Sequence, residues 1–324
     1  MEGSVMELII MSYNIQHMNN MFSNNRVKDS EVSRADNIAT VINSVHPHLL
    51  GICEAANAME EHQYFIDTFL PDSGYQIAMG ASRGKQNLVF YYRSPLQLIT
   101  VDDEFDYYGP WQHDIDEDGV KEEFRWERKP LEAVFQIGAQ GPQFRVILVH
   151  TKSKGVFTVT DLHHYQKIAM GNRKRLVAQA LRLRQRLDTL MDTSPHIPVV
   201  VMGDMNDGPG LDPFEQLLGY SFVETVMGSV FQPGKIFHNS LWWMSQSREH
   251  RNDLWTADFP DPIVSSPFGM RHRVWIDHIL VSPDMLNSNS ALRLKPDSGQ
   301  IIPKNRIARD ASDHFPVYCH LESD

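Results

Sequence analysis

Short apolar runs that close on one polar residue recur along this chain. Leu8–Ser12 (LIIMS) predicts a strand running into Tyr13 and Asn14, and Leu49–Cys53 (LLGIC) one that ends at Glu54. Tyr75–Met79 and Leu88–Tyr92 read as two more strands, with Ser82–Gln86 as the loop between them. Leu131–Ile137 and Phe144–Val149 form a hairpin around a Gly138–Gly141 turn, and its second strand ends at His150. Val199–Met202 is a buried strand closed by Gly203, after which Asp204, Asn206 and Asp207 emerge. Trp275–Val281 is a strand whose apolar run is interrupted by Asp277 and His278, and Val317–Leu321 is the last, preceded by Asp313 and His314.

Between these runs the period changes from two to about 3.6. Ser33–Val45 places Ile38, Val41, Ile42 and Val45 on one helical side, and Glu60–Leu70 does the same with Tyr64, Phe65 and Phe69. The longest helix is expected over Arg173–Met191, where Leu176, Ala180, Leu183, Leu187 and Leu190 step by four and three. Its other faces carry Arg173, Lys174, Arg175, Arg182, Arg184 and Arg186, expected as a solvated basic face.

Two stretches break the rhythm, at about 102–130 and 221–273. In the first, Asp114, Asp116, Asp118 and Gly119 imitate an EF-hand loop, but Arg125 stands where that loop needs its bidentate glutamate, so a solvated acidic loop is expected. The second holds Trp242, Trp243 and Trp255. With no repeat, low-complexity tract or linker, the expectation is a single domain over 1–324 with two decorated loops.

Composition narrows the class. Apolar content of 42% and charged content of 22% suit a soluble globular chain. The net charge of −11 argues against holding nucleic acid by a broad basic field, though bound divalent cations would reverse the local sign of an acidic site. Cys53 and Cys319 lie in apolar runs and are expected as buried thiols. Neither a basic n-region with an apolar stretch nor a run of membrane-spanning length occurs, so a cytoplasmic protein without stable membrane insertion is expected.

Collected together, the strand ends carry Asn14, Glu54, His150, Asp204 with Asn206, Asp277, and Asp313 with His314. Metal-assisted phosphodiester hydrolysis needs this inventory. Hard Mg²⁺ or Mn²⁺ binds carboxylate and amide oxygens, an attacking water needs a base, and the charge developing on phosphorus needs cationic or donor groups. The repeated His/Cys ligands of a zinc hydrolase and a Walker loop are both missing from the sequence.

SYNIQH at 12–17, PHLLGICEA at 47–55, VHTKS at 149–153, GDMND at 203–207, IDHILV at 276–281 and SDHFPV at 312–317 occur in one order along the chain. In that order they resemble the endonuclease/exonuclease/phosphatase (deoxyribonuclease I-like) superfamily, which includes pancreatic-type deoxyribonuclease, abasic-site endonucleases, neutral sphingomyelinases and inositol polyphosphate 5-phosphatases. The resemblance implies an α/β (α+β) fold, a four-layered sandwich of two mainly antiparallel sheets flanked by helices. It implies Glu54 as the principal metal ligand, with Asn14 and Asp313 completing the metal side and Mg²⁺ or Mn²⁺ as cofactor. Asp204 would orient or deprotonate the attacking water, Asn206 would hold a phosphate oxygen, and His314 would contact the scissile phosphate with Asp277 fixing its tautomer. His150 matches the branches with histidine at this place, and Arg128 resembles an arginine that precedes the strand and could contact substrate phosphate.

Departures from the pattern are informative. Gln16 replaces an aspartate of the abasic-site enzymes, Gln86-Asn87 stands where deoxyribonucleases have a glutamate supporting the first histidine, and Val274 occupies the place of a pocket-forming tryptophan. Abasic DNA is therefore disfavoured as substrate. The resulting expectation is a divalent-metal-dependent phosphoesterase, first a nuclease that uses an activated water. The alternative is a phosphatase or phosphodiesterase on a small or lipid phosphate, and a non-catalytic binder on the same fold is a third reading. Partners are accordingly a nucleic acid or a phosphorylated small molecule or lipid, with the oligomeric state open.

Overall fold

The computed structural model describes residues 5–81, 86–102, 109–157, 159, 161–260 and 271–324. Most of the loop expected at Ser82–Gln86, and parts of both long loops (103–108 and 261–270), lie outside the described residues.

Two sheets stack face to face, and each contains one parallel pair. In the first, Met6–Asn14 runs parallel to Leu49–Ala55 and antiparallel to Val317–Ser323, while Asn87–Tyr92 and Gln76–Met79 extend it on the far side of Leu49–Ala55. In the second, Gln143–His150 runs parallel to Val199–Asp204, which pairs antiparallel with Asp277–Val281. Leu131–Ile137 and Leu96–Asp102 complete that side of the second sheet. All other pairings among the described residues are antiparallel, as expected from the resemblance. The Leu96–Asp102 strand was not expected from the sequence.

Apolar side chains from both sheets, among them Ile10, Phe90, Phe135, Leu148, Met202 and Leu321, fill the layer between them. The sheets pack tightly at Gly51, where an added Cβ would lie 2.8 Å from Met202 Cε and 2.9 Å from Leu148 Cδ1. Outside the first sheet, Val32–Val45 and Met59–Phe69 cover Met11, Leu50 and Ile52 with Ile38, Ile42 and Phe65. Outside the second, Leu162–Asp192 covers Ile147, Val149, Val199 and Val201 with Leu176, Ala180, Leu183 and Leu187. Helices, sheet, sheet and helix give the four layers. No described helix is long and apolar enough to cross a membrane. Both cysteines are free and buried.

The long helix departs from its expected form in two ways. It starts at Leu162 rather than Arg173, capped by the Asp161 carboxylate, which accepts from the His164 N–H at 2.8 Å. Its first turns are mainly exposed, so no apolar stripe announces them. The basic faces are also largely committed to partners. Arg173 pairs with Asp212, Lys174 with Asp116 and Glu122, Arg184 with Asp188, and Arg186 with the fully buried Glu132, while Arg182 stands over the Trp111 ring. Lys174 also closes the acidic loop, its Nζ 2.6 Å from Asp116.

Candidate active site

The sequence-predicted residues converge where the strands of both sheets end. Parallel registry sets His150 beside Asp204, and antiparallel registry sets Asp204 opposite Asp277. Gly203 makes this possible. Its φ is +138°, and a Cβ there would sit 1.9 Å from the Val149 carbonyl oxygen, a position only glycine can occupy. From the first sheet, Asn14 ends one strand, and Glu54 lies in an irregularity between Ile52 and Ala55 that breaks the side-chain alternation. Glu54 has φ +58°, a conformation costly for a non-glycine residue and typical of functional positions.

The contacts join the two halves. Asn14 Nδ2 donates to Asp204 Oδ2 at 2.9 Å and lies 3.4 Å from Glu54 Oε1 and 3.5 Å from His314 Nε2. His314 Nδ1 is 2.8 Å from Asp277 Oδ2, while its Nε2 faces Asp204 Oδ2 at 3.9 Å. His150 Nε2 is 3.4 Å from the same Asp204 oxygen. The Asp277 backbone N–H donates to Thr256 Oγ1 at 3.0 Å, which fixes the start of that strand. Asn206 donates its backbone N–H to Asp204 Oδ1 at 2.8 Å and its side-chain amide to the Thr151 carbonyl at 3.1 Å. Asp313 accepts from Gln16 Nε2 at 2.9 Å.

Burial and charge set the protonation pattern. Burial lowers His314, but the carboxylates of Asp277 and Asp204 outweigh it and raise the imidazole to about 10. The proton therefore belongs on the ring. Burial raises Asp204 to about 7, opposed by the charge of His314 and aided by Asp277. Burial also raises Asp313, with His314 opposing and Glu54 adding to the rise. His150 is driven well below its usual range by burial, with Arg128 and His314 adding to the effect, so it is neutral.

Two glutamines absent from the expected inventory organise the Glu54 side. Gln86 Nε2 donates to Glu54 Oε2 at 2.5 Å, and Gln86 Oε1 accepts from Arg128 Nε and Nη2 at 3.0 and 2.8 Å. Arg128 thus reaches Glu54 through Gln86 rather than standing apart. Gln16 takes one oxygen of Asp313. In sequence both stand out only as departures from a pattern. Asp207 emerges with Asp204 but serves elsewhere, accepting from the N–H groups of Phe222 and Val223 at 2.5 and 3.1 Å and pairing with Lys154. His278 is buried between Asn239 and the Asp207 carbonyl, outside the reacting cluster.

The chemistry of the donor set fits a hard divalent cation. Asn14 Oδ1, Asp277 Oδ1 and Asp313 Oδ1 are buried without a hydrogen-bond partner. Unsatisfied buried oxygens are costly, and a cation is the natural group to satisfy them. Asp204, Asp277 and His314 also offer ligand atoms within 4.8 Å of one another, but the imidazole already links those two carboxylates. Asn14, Glu54 and Asp313 offer carboxylate and amide oxygens, the kind of donor a hard divalent cation takes.

A metal-fitting oxygen set beside a carboxylate–imidazole pair, at one edge of a two-sheet sandwich, defines a metal-dependent phosphoesterase of the deoxyribonuclease I-like class. The sequence matches the Endonuclease/Exonuclease/phosphatase family over residues 11–314, and the chain belongs to that family. No protein of curated function matches it in sequence. Among solved structures it is similar to TDP2 from Caenorhabditis elegans, with a TM-score of 0.57 and 14% identity over 98% of this chain and 75% of that one. D. rerio TDP2 complexed with single strand DNA product gives a TM-score of 0.56 and 14% identity over 97% and 98% of the two chains. The human Nocturnin catalytic domain with bound sulfate gives 0.53 and 16% over 98% and 95%. These likenesses establish the fold.

Proposed function

We propose that this chain is a divalent-metal-dependent nuclease that hydrolyses phosphodiester bonds with an activated water. The observation that carries the reading is the geometry of His314, held by Asp277 at 2.8 Å and facing Asp204, beside buried oxygens that lack partners. Asn14, Glu54 and Asp313 would hold Mg²⁺ or Mn²⁺, which when bound supplies positive charge to a phosphate oxygen. Asp204 orients the water and takes its proton, a role suited to a carboxylate raised towards neutrality. His314 places its Nε2–H against the phosphate, and Asp277 keeps the ring turned that way. Neutral His150 offers a further imidazole beside Asp204, and Asn206, whose side-chain amide donates one N–H to the Thr151 carbonyl, has a second N–H to hold a phosphate oxygen. The remaining N–H groups of Arg128 supply positive charge behind Gln86 and Glu54.

The test is hydrolysis with Mg²⁺ or Mn²⁺ of single- and double-stranded DNA, RNA, bis-p-nitrophenyl phosphate, p-nitrophenyl phosphate and a phosphoinositide. An Asp204→Ala, His314→Ala double variant is the blank. Cleavage of nucleic acid and the diester, lost in the variant, is the expected result. Turnover confined to monoesters or lipid would replace the nuclease with a phosphatase.

A further inference from the structure

One flank of the site gathers positive charge in a chain whose net charge is −11. Ala257–Pro260 and Arg271–Val274 pair as an antiparallel hairpin, with Asp258 opposite Arg273 and Pro260 opposite Arg271. The hairpin is pinned to the reacting centre by backbone. Ala257 bridges to His314, the Asp258 N–H donates to the Asp313 carbonyl at 2.9 Å, and the Phe315 N–H donates to the Thr256 carbonyl at 2.6 Å. The hairpin backbone therefore sits at a fixed offset from Asp313 and His314, about one strand spacing away.

Its cations exceed what structure alone requires. The buried Asp258 carboxylate takes Arg271 Nε at 2.6 Å, Arg309 Nη1 at 3.0 Å and Arg273 Nε at 3.6 Å. Arg273, Lys304 and Arg309 also surround the Trp255 ring, at 4.9, 4.6 and 5.7 Å from its centre. Among the described residues, three guanidiniums thus share the Asp258 carboxylate, while Lys304 Nζ donates to the Asp253 backbone carbonyl at 2.5 Å. Burial pushes Lys304 down to about 8, with Asp253 opposing and Arg309 and Arg273 adding. A staple would bury its guanidiniums. Here the side chains of Arg271, Arg273 and Arg309 keep 50%, 59% and 42% of their surface in solvent.

Arg271 and Arg273 are two apart on one strand, so they point to the same side and repeat at roughly 6.7 Å. Arg271 donates Nε to Asp258 Oδ1 and Nη2 to the Asp258 carbonyl at 2.7 Å, which pre-sets its guanidinium plane before any anion arrives, while Arg273 Nε lies 3.6 Å from Asp258 Oδ2. Arginine held in this way is suited to phosphate, which it can grip with two parallel N–H bonds. A single small phosphate ester would need none of this. We propose that Arg271, Arg273, Arg309 and Lys304 form a second anion subsite, which binds phosphates of the substrate strand adjoining the scissile one. The subsite rests on the nuclease reading and adds to it where the strand lies.

The experiment compares Arg271→Ala/Arg273→Ala with the parent protein on a single-stranded 12-mer and on bis-p-nitrophenyl phosphate, which has no neighbouring phosphate. KM for the 12-mer is expected to rise about tenfold or more with kcat within twofold, and the small diester to be unchanged. The salt dependence of log KM should flatten by about 0.7 for each phosphate no longer held. Arg271→Lys/Arg273→Lys, which keeps the charge, should restore part of the loss and shows that the hairpin still folds. An equal loss on both substrates, or no change on the 12-mer, overturns the subsite. The underlying reading fails separately, if the parent turns over neither substrate with metal. Binding of a labelled 12-mer by fluorescence anisotropy then judges the subsite, and equal affinity of parent and variant overturns it.

Discussion

Among the described residues, buried carboxylates fall into two kinds. Glu132 is fully buried and held by Arg145 and Arg186, while Asp207 and Glu215 share Lys154. In each case a long-chain cation from the protein fills the place where charge would otherwise be stranded. At the strand ends around Asn14 the protein does the opposite. Oxygens of Asn14, Asp277 and Asp313 are left unpaired, and the local positive charge is an imidazolium with Arg128 held one residue back. Closed clusters of the first kind fasten segments distant in sequence. Open ones keep a place for a group the chain does not supply. The aspartates at 114–118, whose ligand atoms lie within 4.8 Å of one another, stand between the two kinds, with Lys174 Nζ 2.6 Å from Asp116.

Breaking the open cluster should give the largest effect. Asp204→Ala is expected to lower kcat by about 10³-fold or more while the melting temperature changes little, as read from metal-dependent turnover and thermal unfolding. Breaking a closed cluster should do the reverse. Glu132→Ala strands two guanidiniums and is expected to cost about 3–5 kcal/mol of stability, measured by denaturant unfolding, with turnover per folded molecule kept. Activity losses without stability losses at Glu132, or the converse at Asp204, would dissolve the distinction.

Smaller effects sharpen it. His62 is buried between Tyr91 and the Ala56 carbonyl, and burial lowers it from 6.5 to about 4. Its folded value lies below its unfolded one. Its contribution is therefore complete above pH 6.5 and lost as pH falls towards 4, roughly 3 kcal/mol in all. Stability against pH for the protein and for His62→Gln measures it, and a variant with an identical acid limb would refute it. Glu54→Gln is expected to raise the metal concentration for half-maximal activity by about 100-fold, and Gln86→Ala by about 10-fold with kcat nearly unchanged at saturating metal. Metal titration of turnover separates the two, and a Gln86 effect on kcat alone would make it more than a positioning residue.

Much of the candidate site was legible because its residues stand where an apolar run ends, begins or is interrupted. Asn14, Glu54, His150, Asp204 and Asp277 could be collected from that pattern. The geometry joining them could not, since it depends on how two sheets meet. Nothing local in the sequence marks Glu54 as left-handed, or Gln86 as the link between Glu54 and Arg128. The basic residues of the long helix escape a sequence reading for a related reason. Their partners Glu132, Asp212 and Asp116 lie tens of residues away, so a single helix shows a basic face where the fold has ion pairs. The first turns of that helix escape it too, because helical periodicity reports burial, and those turns have little.

The division of the reacting groups between two sheets has a consequence for folding. Asn14, Glu54 and His314 flank strands of one sheet, and His150, Asp204 and Asp277 end or begin strands of the other. A chain with either sheet formed alone has secondary structure but no reactive centre. Turnover is thus a reporter of docking, timed by the meeting of Gly51 with Leu148 and Met202. In refolding, the return of activity should follow the return of backbone circular dichroism, and the interval between them measures how long the two halves take to find one another.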